Sequence, residues 1–161
     1  MKENKTALMK ATDLLAMSEQ SSKNLRKKLL ARKYEEKEVD EAIEKLKKYK
    51  YLNDEEFCKR QFEILYSEEK LSVKQICVKL IQKGFELEFV KKIIPEDTYE
   101  HEIKAAEKIL QKKFRPQKIE DEKEFYKIKT KIWKYLATKG FEPEIITVVA
   151  ENFMINCSNN D

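Results

Sequence analysis

An all-α protein of three tandem three-helix units is predicted by three features of this 161-residue sequence. Glycine and proline together number five while 40% of residues are charged, poor material for the tight turns of an all-β chain. Apolar residues recur at three- and four-residue steps instead of alternating. Both glycines sit in a Lys-Gly-Phe-Glu phrase with a leucine four positions before the glycine, at Leu80 and Leu136, and this marks a repeat.

Aligned on the glycines, Ile76, Leu80, Lys83, Gly84, Phe85, Glu86, Val90 and Ile94 overlay Ile132, Leu136, Lys139, Gly140, Phe141, Glu142, Ile146 and Ala150. An upstream copy, Leu25, Leu29, Arg32, Lys33, Tyr34, Glu35, Val39 and Ile43, has lysine in place of glycine. Offsets of 51 and 56 residues fit supersecondary units too small to bury their own apolar faces completely.

Each unit opens on a helix, over roughly 4–18, 54–67 and 98–114. Its second helix precedes the turn and is marked by Leu25, Leu29 and Leu30, by Ile76, Cys77, Leu80 and Ile81, or by Phe125, Ile128, Ile132 and Leu136. Ser21 and Ser72 stand where a hydroxyl caps that helix, and Asn53 with Glu56 forms a capping-box pattern at the start of the second unit. The third helix follows the turn, with Val39, Ala42, Ile43 and Leu46, then Phe89, Val90, Ile93 and Ile94, then Ile145, Ile146, Val149 and Phe153. Pro143 suits a first helical position and aligns with Glu36 and Leu87. Gly84 and Gly140 are expected to take the left-handed backbone that closes a helix, with Phe85 or Phe141 packing back. At Lys33 that backbone costs on the order of 1 kcal/mol or more, so the first turn is expected to differ. Leu25, Leu29, Val39, Ile43, Ile76, Leu80, Val90, Ile94, Ile132, Leu136 and Ile146 are the expected core. The units run 1–52, 53–96 and 97–157, with a break near Ile94-Pro95-Glu96-Asp97 and a disordered tail over 158–161.

Catalytic patterns are sparse: there is one histidine, and no phosphate-binding glycine loop or H-E-x-x-H. His101, in a polar helix start, reads as a surface residue. Asp54-Glu55-Glu56 and Asp121-Glu122 could hold Mg²⁺, but acids at helix starts answer to the helix dipole first. No metal, cofactor or enzymatic activity is expected. Cys58, Cys77 and Cys157 read as reduced core fillers. No apolar run approaches a membrane span and the start lacks a secretory pattern, so a cytoplasmic protein is expected; a monomer is expected as well.

Charge is unevenly distributed. Residues 21–52 hold 11 basic and 6 acidic side chains, residues 53–103 hold 8 and 12, and residues 104–139 hold 12 and 5. Two basic blocks flanking an acidic one suit an anionic partner gripped at two places, although solvated helix faces would look the same. Lysines at three- and four-residue spacing attract a phosphate backbone without reading bases. Tyr49, Tyr51, Phe114 and Trp133 lie among them and could stack on unpaired bases, but such aromatics more often belong to the core.

Three phrases, ALMKATDLLAMSEQSSKNLRKKLLARKY, AIEKLKKYKYLNDEEFCKRQF and LSVKQICVKLIQKGFELEFV, make the sequence similar to the bacterial RecX family of recombination regulators over nearly its whole length. Ser21, Leu25, Arg26, Leu29 and Leu30 match the first unit; Tyr51, Leu52, Asp54, Phe57 and Arg60 match the strongest signature; Ile76, Leu80, Lys83 and Gly84 match the second unit. The third rests chiefly on Lys139-Gly140-Phe141. Lys33 replaces a glycine, Lys70-Leu71 replaces a Gly-Tyr-Gly-like turn, and arginine is sparse. The resemblance implies a curved, elongated arrangement of the units with a basic face, and binding to RecA and its filament on DNA so as to restrain recombinase and ATPase activity. On that reading the contact face draws on Lys23, Arg26, Lys27 and Arg32 in the first unit and on Lys108, Lys112, Lys127 and Lys131 in the third. A free-standing DNA-binding protein and a protein-only helical scaffold are the alternatives.

Overall fold

The structure is a computed structural model in which residues 5–158 are described. Among them every regular element is a helix: α1 (Ala7–Met17), α2 (Ser22–Leu30), α3 (Glu36–Lys48), α4 (Asp54–Ser67), α5 (Val73–Gln82), α6 (Leu87–Ile93), α7 (Tyr99–Lys113), α8 (Glu122–Thr138) and α9 (Pro143–Ser158). The third helix of each repeat begins at Glu36, Leu87 or Pro143, the three positions that the repeat aligns. Ser158 closes α9, and the rest of the expected tail lies outside the described residues.

By packing, the chain divides into two compact units, Met1–Phe62 with Lys79–Ile93 and Glu63–Val78 with Ile94–Asp161. The middle repeat is thus divided between them, because α4 and α5 each give one end to either unit. In the first unit Ala7 and Ala11 of α1, Leu25 and Leu29 of α2, and Val39, Ile43 and Leu46 of α3 form one apolar cluster. Phe57 and Phe85 meet edge to face at 5.1 Å. In the second unit Ala105, Ala106 and Leu110 of α7, Ile132 and Leu136 of α8, and Ile146, Val149 and Phe153 of α9 do the same. Ten of the eleven expected core residues are buried. Ile94 is only half-buried: it lies past the end of α6, where the following proline disfavours helical backbone.

Gly84 and Gly140 have φ of 90° and 84°. Each closes its helix, with Gly84 N–H donating to Ile81 O at 2.9 Å and Gly140 N–H to Ala137 O at 3.0 Å. Phe85 and Phe141 are buried behind them. The first turn does not differ as expected: Lys33 has φ 67° and donates its N–H to Leu30 O at 2.9 Å. Positive φ alone therefore does not demand glycine here. Close approach demands it at Gly84, where a Cβ would lie 2.6 Å from Ser21 Oγ; at Gly140 a Cβ would be tight, 3.2 Å from Ser72 Oγ.

Those serines form the same joint twice. Ser21 Oγ accepts from Asn24 N–H at 3.3 Å as the cap of α2, and donates to Lys83 O at 2.7 Å. Asp54 Oδ1 accepts from Ser22 N–H at 2.8 Å, so an acid covers the next free amide. In the second unit Ser72 Oγ accepts from Gln75 N–H at 3.2 Å and donates to Lys139 O at 2.7 Å, and Glu102 Oε1 accepts from Val73 N–H at 2.9 Å. Asn53 also caps as its pattern predicts, with Glu56 N–H donating to Asn53 Oδ1 at 3.2 Å.

His101 is buried, against expectation. It stacks on Tyr66 with ring centroids 3.8 Å apart, and its Nε2 lies 3.0 Å from Leu71 O. The polar sequence around it conceals this, because the covering residues lie some thirty positions upstream. Cys58 and Cys157 are buried and Cys77 is half-buried, with no disulfide among the three. No helix of the described residues is long and apolar enough to cross a membrane.

Candidate nucleic-acid interface

Burial of Leu25 and Leu29 turns Lys23, Lys27 and Lys28 of α2 to solvent. None of the three has an ion pair with a described residue. Lys23 joins Lys47 and Lys50 around an open depression that Asp54, Glu55, Glu56 and Glu86 also line. Arg26 is different: its Nε donates to Asp40 Oδ1 at 2.8 Å, and it also pairs with Glu36. The hydrogen bond to Asp40, then that to Glu36, raises the guanidinium pKa further above its ordinary value, and Arg26 holds the Asp40 carboxyl below the usual range. Arg32 donates from Nη1 to Lys28 O at 2.8 Å, which covers a carbonyl at the end of α2.

In the second unit Lys108 donates to Glu69 Oε2 at 2.5 Å, and Lys104 lies 2.6 Å from Glu100 and 3.9 Å from Glu69. The hydrogen bond from Lys108 lowers the Glu69 pKa. Lys112, Lys127 and Lys131 are exposed and form no ion pair with a described residue. Lys127 and Lys131 border a depression with Lys123 on α8, which Glu120, Asp121 and Glu124 also line. Of the eight expected contact residues, Arg26 and Lys108 are thus engaged by acids, Arg32 serves a helix end, and five lysines are open to a partner. The acids concerned, Glu36, Asp40 and Glu69, could be found only once the helices were placed against each other.

The acidic clusters have structural employment. Asp54 holds Ser22 N–H, and Asp121 caps α8 by accepting from Glu124 N–H at 2.7 Å. No group of three or more possible metal ligands occurs among the described residues. The core reading of the aromatics holds for Phe114, half-buried against Tyr135 at 5.7 Å, but Tyr49 and Tyr51 are 65% and 73% exposed and Trp133 is 39% exposed.

This chain is 34% identical over 148 residues to "Regulatory protein RecX" of Caldanaerobacter subterraneus subsp. tengcongensis, covering 89% of the chain and 68% of that relative. The chain belongs to the RecX family. A RecX regulatory protein of Clostridium beijerinckii is 31% identical over 147 residues, 89% of the chain and 66% of the relative. The chain thus spans about two thirds of the length of these curated RecX relatives. The family model for the first three-helix RecX domain matches residues 7–46, and that for the third matches residues 100–149. The crystal structure of RecX from Lactobacillus salivarius shares the fold, with a TM-score of 0.69 over 92% of this chain and 95% of that one at 20% identity.

Proposed function

We propose that this protein regulates homologous recombination without catalysis, as a cytoplasmic monomer that binds a RecA-type recombinase on DNA and restrains its strand exchange and ATP hydrolysis. Membership of a regulatory family carries the reading. The open lysines of α2, α7 and α8, which pair with no acid among the described residues, supply the phosphate contact, and no cofactor takes part. The phosphate contacts draw on Lys23, Lys27 and Arg32 in the first unit and on Lys112, Lys127 and Lys131 in the second. Arg26 and Lys108 contribute less, since each would have to leave a carboxylate to meet a phosphate.

The test is strand exchange and ATP turnover by the cognate recombinase on single-stranded DNA, with and without this protein. Both rates are expected to fall as the protein is added, and the Lys23→Glu/Lys27→Glu variant is expected to restrain them less. A protein that binds DNA steeply with salt yet leaves the recombinase unaffected would be a free-standing DNA binder. One that binds the recombinase with no salt-dependent DNA contact would be a protein-only scaffold.

A further inference from the structure

The solvent face of α8 carries more than charge. From Phe125 to Lys139 the chain has five lysines and no acid. The acids of this region gather at the N-terminal turn, where Asp121 caps the helix and Glu124 Oε2 accepts from Glu120 N–H at 3.0 Å. Beyond that turn Ile132 and Leu136 point into the core, so Tyr126, Thr130, Trp133 and Ala137 form one exposed ridge at helical spacing. Lys127, Lys131 and Lys134 run beside it, without an ion pair to any described residue. Tyr126 is 59% exposed, and its ring is steadied edge-on against Phe125 at 5.7 Å. Trp133 is 39% exposed, a large apolar ring left at the surface.

We propose that this ridge binds single-stranded nucleic acid by stacking unpaired bases on Trp133 and Tyr126 while the neighbouring lysines hold the backbone. The inference deepens the DNA-contact part of the proposed function and rests on it. The ring positions are seven residues apart, about 10 Å along the helix axis. Neighbouring bases in a duplex strand are stacked about 3.4 Å apart and have no free face, so only a strand whose bases are splayed can use both rings. Thr130 and Ala137, exposed on the same ridge, add only small side chains beside the rings. A protein partner would fit the rings, but lysine is depleted in the centres of protein interfaces, and here lysines border the rings along their length.

Trp133 is the one tryptophan of the chain, so its fluorescence reports this site alone. Short oligothymidylate is expected to quench it, whereas an abasic strand of equal length and the matching duplex are expected to bind through phosphates with little quenching. Tyr126→Ala, at an exposed position, is expected to retain its helical circular dichroism and to weaken oligothymidylate binding about 10-fold. Trp133→Phe, which keeps a ring, is expected to bind more tightly than Trp133→Ala. Equal quenching by abasic and base-bearing strands would overturn the proposal, as would wild-type affinity in the Tyr126→Ala variant. A spectrum that answers the recombinase but not the single strand would assign the ridge to protein docking and also overturn it. Salt-dependent DNA binding without quenching sinks this inference while sparing the proposed function; failure to bind any DNA sinks the DNA contact in both.

Discussion

A hydroxyl at positions 21 and 72 accepts an amide and donates to a carbonyl at once, and no carboxylate can do both. At an ordinary helix start Asp and Ser cap about equally well and Ala is worse. At Ser72, fully buried against Lys139 O, that order is expected to reverse. Ser72→Ala is expected to cost about 1–2 kcal/mol through the lost cap. Ser72→Asp is expected to cost more, by facing a carbonyl with a charged acceptor. Urea unfolding of the two variants decides it: an Asp variant more stable than the Ala variant removes the joint from the account. The same joint sets the glycines apart from Lys33. Gly84→Ala is expected to destabilise by about 2–4 kcal/mol, combining positive φ with the clash at Ser21. Lys33→Gly, free of such a neighbour, is expected to be neutral or stabilising by up to about 1 kcal/mol. The glycine phrase was legible in the sequence. Its cause was not, because the serines that crowd it lie 62 and 67 residues from the carbonyls they reach.

Helix positions were legible because apolar spacing, Pro143 and the serine caps all act within a turn or two of the chain. What each helix start would touch was not, and α7 shows the consequence. Its first turns carry His101 and Glu102, one stacked on Tyr66 and the other accepting from Val73 N–H. Burial lowers the His101 pKa from 6.5 despite Leu71 O and Glu69 nearby, and burial raises that of Glu102 from 4.5. The unfolded chain therefore takes up the histidine proton first, so stability is lost as pH falls below about 6.5 towards the folded value. Glu102 acts the other way, weakening the fold as pH rises from 4.5 to its raised value. His101→Gln keeps a donor for Leu71 O and removes only the first effect. The thermal midpoint of the unaltered chain is thus expected to drop more steeply from neutral pH to about 5.5 than that of the variant. Parallel curves would show that His101 does not titrate in this way.

At the scale of the molecule, the charge blocks along the chain mark where basic side chains gather in the sequence but not which cations are open to a partner. Sequence counts Arg26 and Lys27 alike, and the structure gives Arg26 two acids and Lys27 none among the described residues. Salt dependence converts that distinction into a number, since each phosphate contact contributes about 0.9 to the slope of log affinity against log salt on duplex DNA and about 0.7 on a single strand. Lys23→Gln/Lys27→Gln is expected to lower the slope by at most about two units, and Lys127→Gln/Lys131→Gln by a similar amount. Arg26→Gln is expected to change it little. Stability is expected to stay within about 0.5 kcal/mol for the lysine variants, because exposed charges without partners hold no folded contact. If one DNA backbone occupies both basic regions in a single complex, combining the two lysine pairs sums their losses, to at most about four units. If the regions bind separate strands, titrations of a short strand resolve two classes of site and each pair of substitutions abolishes one of them. Were the slope unmoved by all four changes, the lysines of α2 and α8 would be solvated surface, and any grip on a recombinase filament would lie elsewhere on the chain.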